Sequence, residues 1–112
     1  MSNNMQRLRA EFSSSEFSLR NLLRIGSQDC AKLEVGTAVF PKGYRHPESG
    51  VSIHAVTEVS LILEGSIEIE CEGETVRLEA GDVIVIPAGK GHVSHALAES
   101  RIYFLLFDAD GL

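Results

Sequence analysis

Cysteine is scarce in this chain. There are two, Cys30 and Cys71, far apart and in no CxxC pair. That is too few to staple a small domain with disulfides, and the spacing is not that of a zinc finger. Positive charge is also short: ten basic residues face sixteen acidic ones, for a net charge of −6. No Lys/Arg cluster breaks that balance, so nucleic acid is not an expected partner, and neither is an anionic membrane. No apolar run approaches the roughly 18 residues that spanning a bilayer needs. Met1 to Ala10 is polar and has no apolar stretch of the secretory kind. The expected location is the cytoplasm. Repeats and low-complexity stretches are missing too.

What is present suits one soluble globular unit. The apolar fraction is 44% and the charged fraction 23% over 112 residues, enough for a single domain with a thin core. Residues 1–16 are expected as a flexible N-terminal segment, a frayed tail or short helix, and 17–112 as the domain. Phe17 to Ile25 fits two patterns. Leu19, Leu22 and Leu23 suit a short helix, while Leu19, Asn21, Leu23 and Ile25 alternate as in an edge strand.

From Ala31 onward the pattern is β. Lys32 to Phe40 is rich in β-branched residues and stops at the Pro41-Lys42-Gly43 turn. Tyr44 to Gly50 reads as a loop, Val51 to His54 as a short strand, and Glu58 to Leu63 as another. In Ser66 to Glu72, Ile67, Ile69 and Cys71 alternate with Glu68, Glu70 and Glu72, one buried face against one wet face. Cys71 is therefore a small core residue, and the glutamates are a solvated face, not a calcium site. A hairpin at Gly73-Glu74 leads to Thr75–Leu78. Val83–Ile86, His92–Leu97 and Arg101–Phe107 complete an all-β chain of short strands between Gly and Pro turns, a sandwich or barrel. Two strands are apolar on both faces. Val59, Leu61 and Leu63 oppose Ile62, and Tyr103, Leu105 and Phe107 oppose Ile102, Phe104 and Leu106. One interior cannot hide both sets, so a second covering layer is needed, from the N-terminal segment, another subunit or both, and a homodimer is the expected assembly.

The four histidines, at 46, 54, 92 and 95, all lie in this β region. His54 stands four residues before Glu58, with Gly65 beyond it. Gly81 is followed by Pro87, Gly89 and then His92. In these two frames the sequence resembles the cupin superfamily, whose first motif ends H-x(3,4)-E-x(6)-G and whose second begins G-x(5)-P-x-G-x(2)-H. The likeness runs from about Ala31 to Phe107. It implies a double-stranded β-helix, the jelly-roll barrel, with His54, Glu58 and His92 holding a divalent ion (Fe, Mn, Ni, Zn or Co). It also implies a small-molecule ligand such as a sugar derivative or carboxylic acid, with isomerase, dioxygenase, decarboxylase or lyase chemistry among the family's activities. Two departures stand out. The family's usual additional histidine in the first motif falls on Ser52, a poor ligand, and its frequent asparagine after the second falls on Ala96.

Spacing adds a physical condition. On one straight strand His54 and Glu58 would be about 13 Å apart, at about 3.3 Å per residue, whereas ligands to one ion sit about 2.0–2.2 Å from it. The chain must turn a corner within Ala55-Val56-Thr57. His46 is either a solvated loop histidine or a substitute fourth ligand. His95, three residues past His92, is expected to face away from the interior. Arg45 and Arg101 are read as surface charges, with anchoring of an anionic substrate as the alternative, and Tyr44 as a pocket-rim residue. Three readings of function remain open: a metal-dependent enzyme, a non-catalytic ligand-binding or sensor module, and a metal-free cupin in which a histidine acts as a base in sugar epimerisation.

Overall fold

Alternation along the chain becomes two antiparallel sheets. The computed structural model describes residues 5–12, 15–26 and 31–108. Its strands are β1 (Ser18–Gly26), β2 (Ala31–Phe40), β3 (Arg45–His46), β4 (Thr57–Glu64), β5 (Ser66–Cys71), β6 (Glu74–Glu79), β7 (Val83–Ile86), β8 (His92–Ala96) and β9 (Ser100–Phe107). One sheet has the order β1-β2-β9-β4-β7 and the other β3-β8-β5-β6. In β5, Ile67 and Ile69 are buried while Glu70 is exposed, because successive side chains point to opposite faces. The inward sets meet between the sheets as a core of Ile62, Ile67, Ile69, Leu78, Ile86 and Ile102, with Ala38, Phe40 and Ala96. Cys71 packs partly buried against that core. This is the jelly-roll architecture expected.

Several boundaries differ from the expectation. The Phe17–Ile25 ambiguity resolves as β1, an edge strand paired antiparallel with β2, and no helix occurs among the described residues. Pairing to β2 supplies backbone partners that a lone helix turn lacks. Val51–His54 is not a strand. It carries one isolated bridge, Ser52 to His92, because the chain is leaving one sheet for the other at this point. The Tyr44–Gly50 stretch is not all loop, since Arg45 and His46 pair with His95 and Ser94 as β3. The hairpin sits one residue earlier than expected. Glu72 and Gly73 form its two-residue loop between the paired Cys71 and Glu74, and both have positive φ, 49° and 82°, as a turn matched to strand twist requires. The reading of residues 1–4, 13 and 14 as part of a frayed tail or short helix lies outside the described residues.

Gly65 makes the crossing from β4 to β5, that is, from one sheet to the other. Its φ is 99°, and a Cβ there would fall 2.2 Å from Ser100 Oγ and 2.4 Å from the Glu99 carbonyl. The fully buried Ser100 fastens the corner by accepting from the Ser66 N–H at 3.1 Å and donating to the Ala98 carbonyl at 2.9 Å. Only glycine fits such a backbone approach.

The outer face of the five-stranded sheet stays apolar, as the two-faced strands imply. Val59 pairs with Val85 and Leu61 with Val83, and the two valines are 59% and 56% exposed. Phe12 covers one part of this face, with its ring edge-on to Tyr103 at 6.1 Å and the Arg101 guanidinium 5.5 Å above it. No helix among the described residues is long and apolar enough to cross a membrane.

Candidate metal centre

The required corner is present. Ser52 belongs by its bridge to the four-stranded sheet, for it exchanges both backbone hydrogen bonds with His92 at 2.9 Å. A bend at Ala55-Val56 follows, and Glu58 lies on β4 of the other sheet. The Gly89 N–H donates to the His54 carbonyl at 2.8 Å and ties the bend to the turn before β8. His54 and Glu58 thus converge from two sheets, and His92, the first residue of β8, joins them.

The resulting cluster is tight. His54 Nε2 lies 3.3 Å from Glu58 Oε1, and His92 Nε2 lies 3.7 Å from the same oxygen. One donor atom from each of the three residues falls within 4.8 Å of the others. Donors sharing one ion at about 2.1 Å can be at most about 4.2 Å apart, so both measured separations suit a common ion. Second contacts orient the donors. His92 Nδ1 is 3.3 Å from the Lys90 carbonyl. A carbonyl only accepts, so Nδ1 is the donor in this contact and Nε2 is the nitrogen turned to Glu58, an arrangement usual around metal-bound imidazoles. Ser60 donates to Glu58 Oε2 at 3.0 Å. The donor set therefore fits a divalent first-row ion.

Electrostatics couple Glu58 to its neighbours. Burial pushes the Glu58 carboxyl upward, yet the hydrogen bonds from His54 and Ser60 and the nearby His92 outweigh it and hold the group below the usual value. The hydrogen bond to Glu58 raises His54, against the opposing effect of burial, and Glu34 adds to the rise. His46 moves the other way, lowered chiefly by burial.

His46 is not a solvated loop residue. It lies on β3, half-buried, and its ring stacks on Phe17 at 5.5 Å and Phe40 at 5.6 Å. It lines the same cavity as the other three but is not part of their compact cluster. His95 does not line that cavity, as alternation from His92 implies. Arg45 donates to the carbonyls of Pro47 and Gly50 at 2.7 and 2.9 Å and so braces the loop. Tyr44 stacks on Phe17 at 4.5 Å. The sequence reading missed Ser60 and Ser94. Each stands two residues beyond a candidate ligand, Glu58 or His92, on a strand, so period-two alternation puts them on the same inward face.

A family model described as "Cupin domain" matches residues 33–107. Among curated proteins no match is found. Solved structures share the fold at low identity. An RmlC-like cupin with a double-stranded β-helix fold from Methanocaldococcus jannaschii superposes with a TM-score of 0.77 at 8% identity, covering 93% of this chain and 91% of that one. A conserved protein of unknown function from Streptococcus pyogenes gives 0.73 at 21%, covering 95% and 97%. A cupin superfamily protein from Desulfitobacterium hafniense gives 0.72 at 16%, covering 92% and 99%.

Proposed function

For a chain that belongs to the cupin-domain family, as this one does, we propose a metal-dependent activity on a small molecule, with His54, Glu58 and His92 as the ligands of one divalent ion. The observation that carries the reading is the sharing of Glu58 Oε1 by two imidazole nitrogens at 3.3 and 3.7 Å. A carboxylate this enclosed, beside two histidines, is costly to keep without a cation or full pairing. Fe, Mn, Ni, Zn or Co suits two nitrogens and one oxygen. When bound, such an ion supplies Lewis-acid polarisation of an oxygen on the substrate. The protein's part is to hold the ligands, to orient His92 through Lys90 and Glu58 through Ser60, and to wall the site with apolar side chains. The substrate classes are those the cupin resemblance implies, a small sugar derivative or a carboxylic acid, in an isomerase, dioxygenase or lyase type of reaction.

The test is metal content after reconstitution and dialysis. The native protein retains about one ion per chain, and His54→Ala and His92→Ala lose it. Full retention in both variants removes the assignment. A substrate panel run with and without Fe(II), Mn(II) and Ni(II) separates enzyme from binder.

A second reading, a non-catalytic ligand-binding module, is favoured by one observation. With the three ligands committed to metal, His46 is the single titratable group left among the described residues of the cavity wall, which leaves little acid–base equipment. Turnover with no member of the panel, together with saturable binding, would establish it. We also propose that the chain is a homodimer joined through the outer face of the five-stranded sheet, where Val59, Leu61, Val83 and Val85 form an apolar surface that one chain alone leaves open to water.

A further inference from the structure

The cavity changes character from mouth to floor. The His54 side chain at the mouth is 37% exposed and Glu58 behind it is 16% exposed. Two residues deeper on β4 comes Ser60, and two beyond that the fully buried Ile62. The floor is aliphatic, made by Ile62, Ile67 and Ile102 beside Ala38. Halfway down, the buried Ser94 lines the cavity. No lysine or arginine lines the wall among those residues.

These features select a ligand class. A divalent ion with one carboxylate and two neutral imidazoles leaves a single net positive charge, matched by one anionic group. A phosphate or a second carboxylate would find no cation further in. A sugar would turn several hydroxyls toward isoleucines, and hydroxyls buried without partners are unfavourable. We propose that the cavity takes a short aliphatic monocarboxylate, its carboxylate at the His54–Glu58–His92 end and its hydrocarbon tail on Ile62, Ile67 and Ile102, with the Ser94 hydroxyl beside it. This rests on the metal reading above and narrows its two substrate classes to one. An apolar cavity of about 150 Å³ holds a six-carbon ring, so about 100 Å³, part of it taken by the carboxylate end, leaves room for a tail of no more than about four carbons.

The experiment uses the full chain loaded with Co(II), its metal content measured first. Acetate through hexanoate, with glucose and succinate, are then titrated by calorimetry and by the visible Co(II) spectrum. Affinity is expected to rise about fourfold per methylene up to butyrate or valerate and to stop rising at hexanoate. Glucose and succinate should bind at least tenfold more weakly than butyrate. Ala38→Val, which narrows the floor without touching a ligand, should keep the Co(II) and shorten the best chain by about one carbon. Co(II) bound with a flat length series, or with glucose or succinate as tight as butyrate, overturns the ligand class alone. Failure to bind Co(II) at all overturns the metal reading and this one with it. An unshifted optimum in a folded Ala38→Val protein overturns the tail's placement, and the series on the native chain decides the class if that variant does not fold.

Discussion

Glu58 concentrates the chemistry of the site, and Ser60 tunes it. The serine touches the carboxylate and not the proposed ion, so it acts by position, holding Oε2 at 3.0 Å and leaving Oε1 to face both imidazoles. Ser60→Ala is expected to weaken metal binding about tenfold, at the lower end of what outer contacts usually contribute, and Ser60→Thr to restore most of it. Competition against a chromophoric chelator measures both. An alanine variant that binds as tightly as the native protein would deny Ser60 its role.

His46 governs a pH effect. Burial lowers its pKa from the ordinary 6.5, so the folded protein favours the neutral ring, and the unfolded chain takes up the proton first as pH falls. Its contribution to stability is complete above pH 6.5 and is lost as the pH drops from there through the folded value. His54, raised by its bond to Glu58, acts in the opposite sense. Its contribution is complete below pH 6.5 and is lost as pH rises through its folded value. Denaturant midpoints of the metal-free protein between pH 8 and 5 will therefore mix the two. His46→Phe keeps the stacking on Phe17 and Phe40 and isolates the difference: the variant should lose less stability on acidification than the native chain. Equal losses would show that His46 does not titrate in this range.

At the scale of elements, two crossings between sheets build the site. The Ala55-Val56 bend brings His54 to Glu58, and the Gly65 corner sends β5 under the cavity as its floor. Gly65→Ala would meet Ser100 and the Glu99 carbonyl at 2.2 and 2.4 Å while forcing a side chain into a positive-φ backbone. Overpacking costs about 1–3 kcal/mol and a left-handed residue about 1–2 kcal/mol, so a loss of about 3 kcal/mol is expected in chemical denaturation. Gly73→Ala, also at positive φ but with open space around its Cβ, should lose only the smaller backbone part. Equal losses at the two positions would show that the close approach to Ser100 is unimportant.

For the whole molecule, the unevenly covered outer face is the main open surface. Phe12 and Arg101 shield the Tyr103 region, but Val83 and Val85 on the edge strand β7 stay largely exposed. With a chain mass of 12.2 kDa, sedimentation equilibrium should report twice that mass at micromolar concentration, and Val85→Glu should return the mass of one chain. A native monomer at high micromolar concentration would set the homodimer aside.

Much of this was readable along the chain. Alternation in Ser66–Cys71, turn residues at Gly65, Gly81 and Pro87–Gly89, and the spacing of His54, Glu58 and His92 are local signals, since strand period and turn chemistry act over a few residues. A sandwich or barrel followed from them; the jelly roll and the candidate ligands were what the cupin resemblance of those frames implies. Other features depended on contacts between distant segments. Leu19 to Ile25 carries two periods at once, and only pairing with β2 chose the strand. Val51–His54 looks extended, yet its partner is a single residue, His92. His46 reads as a loop histidine until β8 and the Phe17 and Phe40 rings enclose it. The aliphatic floor beneath the metal centre comes from β2, β4, β5 and β9 together, which no one stretch of sequence displays. The two motif frames in the sequence named the side chains expected at a common point; packing of the two sheets decided what lies beneath them, because burial belongs to the assembled sandwich and not to any strand.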